Sequence, residues 1–321
     1  MRVCLMIEGQ EGVTWNDWVR LAGLAERHGL DGLFRSDHYT AIIRPQADAL
    51  DAWTTLAGLA TLTRRIRLGT LVSPSTYRHP SVLARMAVTI DHISRGRVEV
   101  GMGSGWYERE HVENGFPFLD GKQRFELFAE QVEIVVRSWT EDGFDHSGPA
   151  YELRGQTALP RPYQEPHPPL VLGGTVAPRF AALAARYATE VNTLGAPNDE
   201  LRERKQRLDR ACEEAGREPS TLTFSVMTSC FLGADRDNVL GRIRDFQAVR
   251  GGDADPEALL AERADRWLAG TVEEVAARVE ELRAVGVSRV FLQHLNHSDD
   301  AMVALIGEGL LPAVASVESR A

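Results

Sequence analysis

The chain is poor in lysine, poor in cysteine and free of long apolar runs, and each shortage removes a class of protein. Its 321 residues include only two lysines, Lys122 and Lys205, and the formal net charge is -10. Neither lysine falls at the end of a predicted strand, which argues against Schiff-base chemistry on a lysine amine. Acidic residues are scattered among arginines and the pI is near 5.5, so nucleic acid and anionic membranes are poor candidates for the main partner. Cys4, Cys212 and Cys230 are odd in number and lack metal-binding spacing, and they read as small buried hydrophobes of a reduced, cytoplasmic protein. No apolar stretch reaches membrane-spanning length, and Arg2 to Ile7 reads as a strand rather than a signal peptide. Strand 1 has no His-x-His pair, and His28, His79, His92, His111, His146, His167 and His297 do not fall on successive strand ends. That pattern speaks against a metal hydrolase.

What is present is a repeating unit, clearest from Arg64 to His111. Ile66 to Val72 is a short β-forming run broken by Ser73-Pro74. Pro80 then sits where a first helical residue belongs, and Val82, Leu83, Met86, Ala87 and Ile90 recur at helical spacing. Gly96 closes that helix as a left-handed cap, and Arg97 to Met102 forms the next strand, parallel to the first. Helix 1 begins at Thr14 with Asp17 in its first turn, and its spacing predicts burial of Trp15, Trp18, Val19, Ala22 and Ala25. Further strands read at Val3 to Ile7, Gly32 to Arg35, Leu170 to Leu172, Glu190 to Thr193, Leu222 to Val226 and Val290 to Gln293. A charged helical segment lies between Ala234 and Leu268, after strand 7, and Thr271 with Glu274 forms a capping box for the helix beyond it. Strand and helix alternate throughout, which predicts an α/β fold: a (β/α)8 TIM barrel over 1–321 as one domain, with a helical insertion after strand 7. A doubly wound open sheet is the alternative.

In such a barrel the residues just after each strand ring one mouth, where active sites lie. Glu8 and Gln10, Ser36-Asp37-His38, Ser73, Gly103-Ser104-Gly105-Trp106, Gly173-Gly174-Thr175, Asn192-Thr193, Ser229 and Gln293-His294 fall near that ring. Two glycine clusters suggest a large, flat, anionic ligand: one to accept a ring system, the other to bind phosphate through N–H groups at a helix start. A tight strand-to-helix turn explains Gly173-Gly174-Thr175 equally well. His38 is the candidate for proton transfer, because an imidazole titrates near neutrality. The competing reading is a histidine hydrogen-bonded to its own loop. Asp37 joins the candidate catalytic pair as a turn cap or an orienting group. Glu8, Gln10, Trp106 and His294 are the candidate substrate-pocket residues.

Several segments resemble the bacterial luciferase-like monooxygenase superfamily: Phe34 to His38, Asp51 to Ala60, Arg65 to Pro74, Arg78 to His111, Pro168 to Gly174 and Gly270 to Glu274. Within it the chain is most similar to the branch that uses the deazaflavin coenzyme F420. The resemblance implies a barrel, often dimeric, with a flavin or deazaflavin ring against the end of strand 3. It also implies a non-proline cis peptide at Leu71-Val72, beside Ser73. The glycine turn Gly103-Ser104-Gly105 and Gly173-Gly174-Thr175 would hold the ribityl chain and phosphate. Two departures stand out. The glycine run after strand 5 is shortened, and the position where sugar-phosphate dehydrogenases of the superfamily place an acidic residue is Trp106. The expected activity is F420-dependent hydride transfer to or from a small organic substrate, with a flavin or F420 reductase as a possible supplier of reduced cofactor. The alternatives are an FMN-dependent monooxygenase using FMNH2 and O2, and a flavin-binding carrier with no chemistry.

Overall fold

The structure is a computed structural model that describes residues 1–44 and 46–318. Eight parallel strands form its centre: β1 (Arg2–Ile7), β2 (Gly32–Arg35), β3 (Arg67–Thr70), β4 (Val98–Gly103), β5 (Leu170–Gly173), β6 (Glu190–Leu194), β7 (Thr223–Gly233) and β8 (Arg289–Gln293). Each pairs with the next, and β8 returns to β1 with Met6 opposite Gln293. That pairing closes the sheet, so the open-sheet alternative falls and the barrel stands.

Helices α1 (Trp15–Arg27), α2 (Ala52–Leu62), α3 (Pro80–Ser94), α4 (Glu108–Asn114), α5 (Gly121–Thr140), α6 (Pro178–Tyr187) and α7 (Asn198–Glu214) pack outside the strands or cross their ends. After β7 come α8 (Arg236–Arg250) and α9 (Pro256–Arg263), the expected insertion, and then α10 (Val272–Ala284). Capping boxes start α1 at Thr14–Asp17 and α10 at Thr271–Glu274, satisfying backbone donors that the first turn leaves without partners.

Two expectations about burial need correction: Trp15 is 41% exposed and Val19 37%. A surface helix turns only a stripe of its circumference toward the core. On α1 that stripe runs through Trp18, Leu21, Ala22 and Ala25, which leaves Trp15 to lie over Gly58 of α2. Strand 7 is longer than its apolar run suggested. Its outer part, Cys230 to Gly233, pairs with Leu268–Thr271, a strand too short and too remote in sequence to be read from periodicity.

Inside the barrel the side chains form layers along the axis. At the strand starts, the Arg289 guanidinium donates to Glu99 at 2.6 Å and to Glu190 at 3.0 Å, between the rings of Phe34 and Phe291. Arg67 also pairs with Glu99. Burial would raise the Glu99 carboxyl, but the Arg289 and Arg67 charges outweigh it and hold it below the ordinary carboxylate value. Above lies an apolar layer of Cys4, Met6, Phe34, Leu71, Val171 and Phe291. Over that layer the barrel opens.

Candidate active site

The opening is a cavity of about 660 Å³, within the range usual for organic ligands. Its wall at the end of β3 is the expected bulge: the Leu71–Val72 peptide is cis, and both residues line the cavity. The glycines nearby have a local cause. A Cβ on Gly101 would fall 2.0 Å from the Thr70 carbonyl oxygen, and one on Gly103 would fall 2.7 Å from the Val72 side chain. Gly101 and Gly103 therefore make room for the bulge itself. Gly105 serves the turn that follows: its φ is +78°, and Thr76 and His111 crowd its Cβ position.

His38 follows β2 and lines the cavity, edge-on to Trp106 with ring centroids 5.9 Å apart. Its Nδ1 lies 2.8 Å from Glu110 Oε2. Glu110 stands on α4, fully buried, and also accepts from the backbone N–H of Tyr39 and Thr40 and from the Tyr77 hydroxyl. For His38, burial acts against the charged form, but the hydrogen bond and charge of Glu110 outweigh it and raise the imidazole pKa above its ordinary value. For Glu110 the balance is reciprocal: burial raises its carboxyl, and the His38 and Tyr77 hydrogen bonds bring it below normal. A cavity-facing imidazole with a fixed carboxylate behind it is arranged to carry a proton.

Asp37 does not face the cavity. It is buried, takes two hydrogen bonds from Arg78 at 2.5 and 3.1 Å, and accepts from the Ser73 hydroxyl at 2.6 Å. Ser73 in turn accepts from the Trp53 indole at 3.0 Å. The pair ties the end of β2 to the bulge after β3, holding His38 and Val72 in one frame.

Of the other expected residues, Glu8, Gln10, Gly105, Trp106, Gly173, Gly174 and Thr175 line the cavity, while Gly103, Ser104 and His294 lie outside its lining. His294 is 2% exposed, and burial pushes its pKa from 6.5 down to about 4. The expected role of the Gly174 N–H needs correction. It donates to the Asn192 carbonyl at 3.0 Å, continuing the pairing of β5 with β6, so it is not free for a ligand. A Cβ on Gly174 would meet the Phe180 ring at 2.7 Å, which makes this glycine a packing requirement. The neighbouring helix start remains open: α6 has no side-chain cap, and Thr175 makes no hydrogen bond among the described residues.

Three features escaped the sequence reading. Glu110 lies within the Arg78 to His111 segment that carries the family resemblance, but the seven-residue helix that bears it has no periodicity to mark it. Arg204 reaches from α7 to the hydroxyl of Thr193 at the cavity wall. Ile42 and Ile43 roof the opening because Glu11 accepts from the N–H groups of Ile42, Ile43 and Arg44 at 2.8 to 2.9 Å.

Residues 2–289 match the family model of the luciferase-like monooxygenases, and the chain belongs to that family. It is 25% identical to an FMNH(2)-dependent dimethylsulfone monooxygenase of Pseudomonas putida, over 97% of this chain and 92% of that protein. It is also 25% identical to an F420-dependent glucose-6-phosphate dehydrogenase of Microbacterium testaceum, over 92% and 93% of the two chains. Among solved structures, the monooxygenase RslO1 from Streptomyces bottropensis superposes with a TM-score of 0.82 at 25% identity, covering 97% of this chain and 99% of that one. Relatives with flavin and with deazaflavin thus stand at equal identity. The family defines an oxidoreductase or monooxygenase built around one of these two cofactors.

Proposed function

We propose that the protein is an F420-dependent oxidoreductase in which His38 moves the proton that accompanies hydride transfer. The observation that carries this reading is the 2.8 Å contact between His38 Nδ1 and the buried Glu110 carboxylate, at the edge of a cavity large enough for a tricyclic ring and a substrate. The residues present suit such a group. Leu71, Val72 and Met227 offer apolar surface to a flat ring, while the unpartnered Thr175 N–H and the uncapped start of α6 suit its anionic arm. Arg204, paired with Glu200, bonds Thr193 on the same side. When bound, the deazaflavin supplies or accepts the hydride.

The chain's own residues do the rest. Protonated His38 donates its proton where a substrate is reduced, and neutral His38 accepts one where a substrate is oxidised. Glu110 keeps Nδ1 engaged and leaves Nε2 for the reacting atom. Ile42 and Ile43 limit water at the mouth. The Pseudomonas putida relative favours a second reading, an FMN-dependent monooxygenase, and cofactor choice separates the two. Side-by-side titrations of the purified protein, followed by fluorescence quenching, are expected to show tighter binding of F420 than of FMN. Equal or tighter binding of FMN overturns the deazaflavin assignment, and binding of neither overturns the oxidoreductase reading altogether.

A further inference from the structure

Two carboxylates of the cavity lining, Glu8 and Glu11, take no part in the proton-transfer scheme, and Glu11 is occupied by the N–H groups of Ile42, Ile43 and Arg44, which leaves Glu8. It follows β1 directly, and its two oxygens are held from opposite sides. Gln10 Nε2 donates to Oε2 at 3.0 Å, and Gln293 Nε2 donates to Oε1 at 2.5 Å. Each amide is oriented in its turn. The Ser36 hydroxyl, which accepts the Gly9 N–H at 3.0 Å, donates to Gln10 Oε1 at 2.6 Å, and the Ser229 hydroxyl donates to Gln293 Oε1 at 2.9 Å. Gly9 cannot carry a side chain, because a Cβ there would meet the Arg35 guanidinium at 2.4 Å. Two amide donors, one after β1 and one on β8, thus converge on one carboxylate, each oriented by a serine hydroxyl, and fix its position before any ligand arrives.

No arginine or lysine among the described residues forms an ion pair with Glu8. An ionised carboxylate offers about four acceptor positions, and the two amides fill only two of them. The cavity lining adds apolar surface from Met6, Ile42, Ile43, Met227 and Trp267, together with the His38 imidazole, which feels the Glu8 charge. On the far side of the barrel, four strands round from β1, lie Thr175 and the uncapped start of α6, with Arg204 near them. Arg204 is itself paired with Glu200, so the asymmetry of the cavity lies in open donors after β5 and a carboxylate after β1.

We propose that Glu8 selects a substrate bearing a protonated nitrogen on an apolar body, and disfavours anionic substrates such as sugar phosphates. This rests on the cofactor reading, which puts the anionic arm of the cofactor at the β5 and β6 side and leaves the Glu8 side to the substrate. A substrate ammonium or similar N–H donor makes a charge-assisted hydrogen bond with Glu8, strengthened by the apolar walls. A carboxylate or phosphate brought to the same place meets like charge.

The test compares 1-naphthylmethylamine with 1-naphthoate, two probes of one shape and opposite charge, by calorimetric titration of the full chain with and without F420. The wild-type protein is expected to bind the amine at least about tenfold more tightly, and Glu8→Gln is expected to remove most of that preference, since about tenfold is what a change of 1.4 kcal/mol represents. F420 affinity should stay within about twofold in the variant. Equal binding of the two probes by the wild type overturns the proposal without any variant, and so does an amine preference that survives Glu8→Gln in a protein that melts as the wild type does. Failure of F420 to bind, with the amine preference intact in the cofactor-free chain, overturns the cofactor reading alone.

Discussion

The two ends of the barrel each bury a carboxylate against a base, and they use the pairing differently. At the strand starts, Glu99 and Glu190 face Arg289, whose side chain is sealed between two phenylalanine rings. An arginine stays charged at any ordinary pH, so this pairing is permanent and serves the fold. At the strand ends, Glu110 faces His38, a titratable base held above its ordinary value by that carboxylate, at the border of the cavity. The chemistry of the base and its access to a cavity, rather than the presence of an ion pair, separate a structural site from a reactive one.

The comparison breaks if the two pairs respond alike to mutation. The largest expected effect is on catalysis: His38→Ala should lower turnover by about 10²–10⁴-fold, the usual worth of a general acid or base, and leave cofactor affinity nearly unchanged. A variant that binds cofactor poorly but turns over normally once saturated would make His38 a binding residue. Next comes Arg289→Met, which leaves Glu99 and Glu190 without their shared partner and should cost about 3–5 kcal/mol in denaturant unfolding. Turnover of the variant that remains folded should be close to normal, and a stability no lower than that of His38→Ala would refute the structural assignment.

The smallest effect is on pH dependence of stability. His294 is held at about 4, below its ordinary 6.5, so its contribution is fully present above pH 6.5 and is lost as pH falls from 6.5 toward 4. His38, raised, has the opposite sign: its contribution is present below pH 6.5 and is lost as pH rises through its folded value. Melting temperatures at pH 7.5 and 5 should therefore fall less on acidification in His294→Leu than in the wild type. An identical drop would remove His294 from the account.

Much of this fold is legible in the sequence, because it is written in local signals. Thr14 with Asp17 and Thr271 with Glu274 mark helix starts, and the strand-helix alternation gives the barrel. His38 was readable as well, since the end of β2 fixes its place at the mouth. Glu110 was not. Its position depends on a turn at Gly105, on Thr76 bonding His111 at 2.7 Å, and on a helix of seven residues inside a long connection. None of these has a periodicity to detect. Gly174 misled for a related reason. A glycine before a helix has the same sequence signature whether its N–H meets a ligand or a neighbouring strand, and only the register of β5 against β6 decides. Trp15 and Val19 show the same limit on α1, where spacing gives a face but the neighbouring helix sets its width.

The central claim is that Glu110 tunes a titrating His38. It is tested most directly by following the His38 imidazole by NMR across pH 5 to 9 in the wild-type protein and in Glu110→Gln. The account predicts a wild-type value above the ordinary 6.5 and a clear fall in the variant, where burial acts without the opposing carboxylate. The same titration curve in both proteins would contradict it.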